Sequence, residues 1–417
     1  MKDHIKLALL AWIFLASSLF IVPWSPVYAQ SNCDPDGTQA SGAVYRICMP
    51  PDGQWNGDLV IYAHGYVSPD QPIRIPEEQL RIGGRVSIPA LVNGLGFAFA
   101  TTSYSVNGLA VRQGISDILD LVQIFRTTYG EPGHIYLVGA SEGGLITTLL
   151  TEQHPEVFSG GLSACGPIGD FREQINYWGD IRVLFDYFFP GLIPGDTVSI
   201  PQQVMDQWDM AYEPLIRGAL WAKPAKTRQI IGVAGVPRHP VNWGRNVEAL
   251  VDVLWYNVFS TNDGIAKLGG QPFDNSQRIY RGSANDRRLN RGVDRFQADP
   301  GALQEIEAHY QTSGALQIPL VTLHTLGDPI VPYWHQVLYR RKVMATGNEA
   351  FHTNLPILSR YGHCNFSAPQ VLLGFALLVR QASGQIIPNA DRVLSSPQER
   401  REYEELATSY GLEAKRP

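Results

Sequence analysis

In Gly139-Ala140-Ser141-Glu142-Gly143-Gly144 a serine stands among glycines, after the apolar run 134–140 (HIYLVGA) and before the helix-patterned stretch 143–154. A hydroxyl held on a sharp strand-to-helix turn can attack a carbonyl carbon. The turn strains the serine backbone, and Gly139 and Gly143 let neighbouring chain pass close by. The helix start offers unpaired N–H groups to a developing oxyanion, that of Glu142 first. A serine hydroxyl needs a base, and the base needs a carboxylate to fix its tautomer and stabilise its cation. Asp328, in His-Thr-Leu-Gly-Asp-Pro-Ile-Val-Pro, stands just past the apolar run 319–326, so it should emerge on the same edge as Ser141. Asp170, after the run that ends at Cys165, is the reserve. Three histidines follow Asp328: His335 in a helical pattern, His352, and His363 between a strand and the last helix. Ser141, Asp328 and His363 are the expected catalytic set. A second oxyanion donor is expected from His64-Gly65-Tyr66, where Gly65 permits a turn and the Tyr66 N–H could face the substrate. An ordinary tight turn is the plainer reading of those residues.

The elements that must position this set are legible as a pattern. Short apolar runs at 58–64, 97–105, 134–140, 158–165, 319–326 and 354–358 read as strands. Helical spacing covers 88–95, 110–128, 143–154 and 367–383. Alternation of this kind predicts an α/β fold, a mainly parallel sheet with helices on both faces and the site at the carboxyl ends of its strands. Between Cys165 and Pro319 the alternation stops. Trp178, Trp208, Trp221, Trp243 and Trp255 all fall there. So long a block should carry its own structure. It is read as a helical cap, 167–317, inserted before the last two strands. The core is expected over 30–166 and 318–417, with a surface helix in the polar tail.

Composition narrows the class. The chain opens with a basic start, a short apolar run from Leu7 to Val22 and Val27-Tyr28-Ala29. That pattern predicts a secretory signal peptide cut after Ala29, hence a secreted or periplasmic protein without a stable membrane anchor once cut. A net charge of −6 argues against nucleic-acid binding. The Arg-rich stretch 278–295 also holds Asp286 and Asp294, and reads as a solvated or self-paired surface. Cys33, Cys48, Cys165 and Cys364 suggest disulfides in an exported chain. Proximity would pair Cys33 with Cys48 and leave Cys165 with Cys364, but four cysteines allow three pairings. No metal or cofactor motif is present, and the chemistry needs none. Asn365-Phe366-Ser367 is a formal glycosylation sequon beside His363.

Together, His-Gly early, G-x-S-x-G-G mid-chain, Asp-x-x-Val-Pro late and Gly-His before the final helix resemble the α/β-hydrolase superfamily. The resemblance covers roughly 56–166 and 318–383. It implies acyl transfer to water through an acyl-enzyme, with Ser141 as nucleophile, His363 as general base and acid, and Asp328 as its orienting carboxylate. The Gly-Gly and Asp-x-x-Val-Pro elements also resemble prolyl-oligopeptidase-like peptidases, although no β-propeller precedes them. His363-Cys364 is similar to secreted tannase and feruloyl esterase relatives, where the cysteine beside the histidine is bridged to one beside the nucleophile. Here Ala140 precedes Ser141, so the resemblance implies Cys165 as the partner of Cys364. A small-molecule ester or peptide is the expected substrate. Carboxylic esters are favoured, a peptidase or amidase comes second, and a non-catalytic binding protein of the same fold third. The aromatic segment 177–194 is either an acyl- or aryl-binding wall or the cap's own core. Arg172, Glu173 and Asp180 stand near enough to meet a polar group.

Overall fold

The structure, a computed structural model, describes residues 32–412, so the expected signal peptide at 1–29 lies outside it. The strands are β1 (Asn32–Cys33), β2 (Gly37–Thr38), β3 (Val44–Met49), β4 (Leu59–Ala63), β5 (Arg81–Ile82), β6 (Val86–Ser87), β7 (Ala98–Thr102), β8 (Ile135–Ala140), β9 (Gly160–Ala164), β10 (Leu320–Gly327) and β11 (His352–Tyr361). The main sheet runs β1-β3-β7-β4-β8-β9-β10-β11, with β2 beside β3; β5 and β6 form a separate hairpin. From β7 through β11 every pairing is parallel, and β1–β3 supply an antiparallel edge.

Side chains alternate across the sheet with the period of two that a strand imposes. On β4, Leu59, Ile61 and Ala63 enter one core layer, and Val60 and Tyr62 enter the other. The first layer is closed by α2 (Val111–Tyr129) and α3 (Glu142–Gln153), the second by α1 (Ile88–Gly94) and, further on, α12 (Ala368–Ser383) and α13 (Pro397–Ser409). Burial on both faces explains why the central strands read as continuous apolar runs.

Between β9 and β10 the chain leaves the sheet and forms α4 (Phe171–Phe188), α5 (Gln202–Asp206), α6 (Glu213–Ala222), α7 (Pro224–Ala234), α8 (Trp243–Leu268), α9 (Asp286–Gly292) and α10 (Pro300–His309). These helices bury a core of their own around Leu184, Phe185, Trp208 and Leu254. The helix α11 (Trp334–Thr346) then joins β10 to β11. The expected strands and helices form, with two differences. β11 is longer than 354–358, as an edge strand whose outer residues, Leu358 among them, stay exposed. The antiparallel strands β1–β3 and the β5–β6 hairpin have no counterpart in the sequence reading. Among the described residues no helix is long and apolar enough to cross a membrane.

Candidate active site

Ser141 sits at the junction of β8 and α3 with φ 57° and ψ −120°. A non-glycine residue there stores roughly 1–3 kcal/mol of strain, held in place by its surroundings. The glycines around it are required by space. A side chain at Gly143 would overlap the Ala63 carbonyl oxygen, and one at Gly139 would overlap the Gly143 carbonyl oxygen. The chain can therefore turn here only without Cβ atoms at these two positions.

The structure brings the expected residues together from three strand ends. Ser141 Oγ lies 2.8 Å from His363 Nε2, and His363 Nδ1 lies 2.7 Å from Asp328 Oδ2. With neutral imidazole, the serine hydroxyl donates to Nε2 and Nδ1–H donates to the carboxylate. Asp328, fully buried just after β10, also accepts the N–H groups of Ile330 and Val331 at 2.9 and 3.0 Å. Burial alone would push its carboxyl up. The charge of His363 and hydrogen bonds from His324 and His363 outweigh that and hold it well below the usual carboxylate range.

The His363 loop is tied down on both sides. Gly362 N–H donates to the Gly327 carbonyl at 3.0 Å, and Thr325 Oγ1 donates to the Gly362 carbonyl at 2.7 Å. Cys364 is bridged to Cys165, at the end of β9, with Cα atoms 5.4 Å apart. The second disulfide joins Cys33 to Cys48. Cys165, His363 and Cys364 are close enough to suggest a metal cluster, but both sulfurs are spent in the bridge.

Tyr66 and Glu142, the two expected oxyanion donors, line the same cavity as Ser141. The N–H groups of Tyr66 and Glu142 meet no acceptor among the described residues. Gly65 passes so near that a Cβ there would stand 3.1 Å from Ser141 Cβ. Gln79 holds this loop from behind, accepting Gly65 N–H at 2.7 Å and donating to the Tyr66 carbonyl at 3.1 Å. The Tyr66 ring reaches across to the cap, where its hydroxyl donates to the Phe259 carbonyl.

Sequence reasoning missed three groups. Gln79 carries no local signal. His324 lies behind Asp328: its Nε2 donates to the Val331 carbonyl at 2.7 Å and is 3.5 Å from Asp328 Oδ2, while Gln336 Nε2 donates to its Nδ1. Its place four residues before Asp328 was the one available hint. The Glu142 side chain turns inward rather than to solvent. Its Oε1 accepts Ala110 N–H at 2.8 Å, its Oε2 is buried without a partner, and burial pushes its carboxyl up to about 8.

Other candidates have structural duties. Asp170 caps α4 at Glu173 N–H and accepts from Gln311. His335 is buried against Gln174 and the Gly169 N–H, and His352 lies against Thr322. Asp180 is bound inside the cap to Arg278 and Tyr280. In the Arg-rich stretch, Arg295 donates to the carbonyls of Asn275 and Arg278. The aromatic segment divides: Phe185, Phe188 and Phe189 pack into the cap's core, while Trp178 lines a cavity of about 100 Å³ over Ser141. Leu109, Phe171, Ile175, Val198 and Leu268 are among its apolar wall residues, and Gln174, Thr197 and Asn257 are among its polar ones.

No family model matches the chain. Over 82 residues it is 33% identical to "Putative esterase NocK" of Nocardia uniformis subsp. tsuyamanensis; that stretch is 18% of this chain and spans about a quarter of the relative, 24%. Among solved structures it is similar to an esterase from Aspergillus oryzae, with a TM-score of 0.50 at 14% identity over 83% of this chain and 78% of that one. It is also similar to feruloyl esterase B from Aspergillus oryzae, with a TM-score of 0.48 at 14% identity over 84% and 81%. The sheet order, the helices on both faces and the first of these structural likenesses make this an α/β-hydrolase fold with a large helical insertion before the last two strands.

Proposed function

We propose that this α/β-hydrolase-fold protein is an exported serine hydrolase of carboxylic esters. The observation that carries the proposal is the unbroken chain from Ser141 Oγ through His363 to Asp328 at 2.8 and 2.7 Å, beside two unpaired N–H groups. In this reading Ser141 Oγ attacks the ester carbonyl as His363 Nε2 takes its proton. Asp328 holds Nδ1–H and stabilises the imidazolium. The Tyr66 and Glu142 N–H groups receive the charge that develops on the carbonyl oxygen. The protonated His363 passes its proton to the departing alcohol, and water, activated by the same histidine, releases the acid.

The mainly apolar surface of the cavity over Ser141 favours an acyl group over a peptide, because the Gln174 and Asn257 amides on its wall are already hydrogen-bonded within the protein. In this proposal the segment 167–317 acts as the cap that decides which carbonyl enters. Two disulfides and the signal-like opening support an oxidising, exported setting. Labelling with a fluorophosphonate, compared with Ser141→Ala, tests the reaction class; a label that persists in the variant, or its absence from both, refutes it. A hydrolysis screen of acyl esters, aryl esters and peptide amides on the unlabelled protein, with Ser141→Ala as the blank, then tests the ester preference.

A further inference from the structure

A second cavity, of about 290 Å³, opens onto Ser141 and runs into the opposite layer of the fold. Its walls are Val60, Val138 and Leu162 on the sheet, Leu91 on α1, and Val371 and Phe375 on α12. All belong to, or pack against, the core layer that the cap does not touch. The two cavities share Tyr66, Ser141 and Tyr256. Otherwise they divide the catalytic groups. Glu142, with its oxyanion N–H, lines the first, and His363 with Cys364 lines the second. Of the polar groups on the second wall, Gln79 is already committed to the Gly65–Tyr66 backbone, and Arg81, on β5, is exposed to solvent.

We infer that the substrate is an ester with an apolar limb on each side of the scissile bond, the acyl limb lying under the cap and the alcohol limb between the sheet and helices α1 and α12. This rests on the serine-hydrolase reading. The direction follows from the chemistry. When the Ser141 Oγ–carbon bond forms and the carbon–oxygen bond breaks, the proton taken from Ser141 goes from His363 Nε2 to the departing oxygen. That oxygen must therefore leave on the His363 side, and the limb attached to it lies in the cavity His363 lines. The acyl group stays on Ser141 with its carbonyl oxygen toward the Glu142 N–H, which belongs to the cap-side cavity. Each methylene buried on either side then raises kcat/KM by up to about fourfold.

Two isomeric probes separate the limbs. Ethyl decanoate and decyl acetate have the same atoms, so their overall hydrophobicity is matched, but the long chain is on the acyl side in one and the alcohol side in the other. Rates are read by titration of released acid, per active site counted with a small fluorophosphonate. Gly264→Phe fills the cap-side cavity: Gly264 lies on α8, lines that cavity, and a Cβ there meets nothing within 4 Å. Val371→Trp fills the second, with Ile88→Trp, on α1, as its replacement should Val371→Trp yield no titratable sites. The decanoate-to-acetate ratio of kcat/KM should fall about tenfold in Gly264→Phe and rise about tenfold in the second-cavity variant. A ratio that stays put in either variant, or moves the same way in both, overturns the limb assignment while leaving the hydrolase reading intact. No fluorophosphonate-titratable site in the unaltered protein would overturn both.

Discussion

Glu142→Gln should stabilise this protein, and increasingly so as pH rises. Glu142 is the residue after Ser141, and its carboxyl is enclosed by the site it helps to build. Oε1 accepts the Ala110 N–H at 2.8 Å, and Oε2 has no partner. Burial is the dominant influence and raises the carboxyl from 4.5 to about 8. The Ala110 bond and the Lys267 charge oppose that rise, and the Asp263 charge adds to it. An unfolded chain loses this proton near pH 4.5, whereas the folded protein keeps it to about pH 8. Folding therefore takes up a proton across that window, and the native state loses roughly 1.4 kcal/mol per pH unit relative to the unfolded one. The loss levels off above pH 8, at on the order of 5 kcal/mol. Glutamine keeps the acceptor for Ala110 N–H and carries no charge at any pH. Urea unfolding of both proteins at pH 5, 6, 7, 8 and 9 isolates the effect, because every other titration is common to the pair. The two should differ little at pH 5 and by several kcal/mol at pH 9. Glu142→Ala should instead be less stable than the parent at pH 5, by about 1–3 kcal/mol, since it orphans the Ala110 N–H. A Gln-minus-Glu difference that is flat across the range would show that the carboxyl is hydrated in the folded protein and that its burial has been misread.

Asp328→Asn should leave the fold intact and lower kcat by roughly four orders of magnitude, because an amide cannot stabilise the imidazolium or enforce the Nδ1–H tautomer; esterase kinetics alongside near-unchanged circular dichroism check this, and a loss under tenfold contradicts the assigned role. Replacing both Cys165 and Cys364 with alanine removes a cross-link spanning 199 residues, which in the chain-entropy model costs about 5 kcal/mol. Thermal unfolding of the variant should show a large drop in Tm, and its kcat should fall as well, since the bridge anchors the loop that carries His363. Gly143→Ala should abolish Ser141 labelling, because the added Cβ would overlap the Ala63 carbonyl oxygen; labelling at the parent rate would mean that the turn can relax.

Local pattern was enough to find the strand-turn-helix around Ser141, since the apolar run, the glycines and the helix are contiguous and each has its own period. It was also enough to place Asp328 at the end of β10, which burial makes a continuous apolar run, and His363 between a later strand and the last helix. The antiparallel edge was harder to see. β3 carries Arg46 and Cys48 among its apolar residues and is buried only at Ile47 and Cys48, so it does not read as a continuous apolar run, and its partner β7 lies far along the chain. Other features depend on which distant residues meet, and no spacing encodes that. Cys165 could be offered as a partner for Cys364 only as the pair left over once Cys33 and Cys48 are matched by proximity, or by resemblance; the approach of β9 to the loop after β11 brings the two sulfurs together. Gln79 is one glutamine among many until the chain before β5 folds beneath Gly65. Glu142 reads in the sequence only as a helix start and an N–H donor, and becomes a buried acid because its carboxyl reaches the Ala110 N–H across the fold. The sequence by itself determined the candidate set, Ser141, Asp328 and His363, and the kind of frame that carries it. The tertiary structure alone decided the environment of that set: the bridge behind His363, the unpaired carboxyl beside Ser141, and the two apolar cavities that meet at its hydroxyl. Bonding periodicity is local to the chain, whereas cavities and burial are properties of surfaces assembled from all of it.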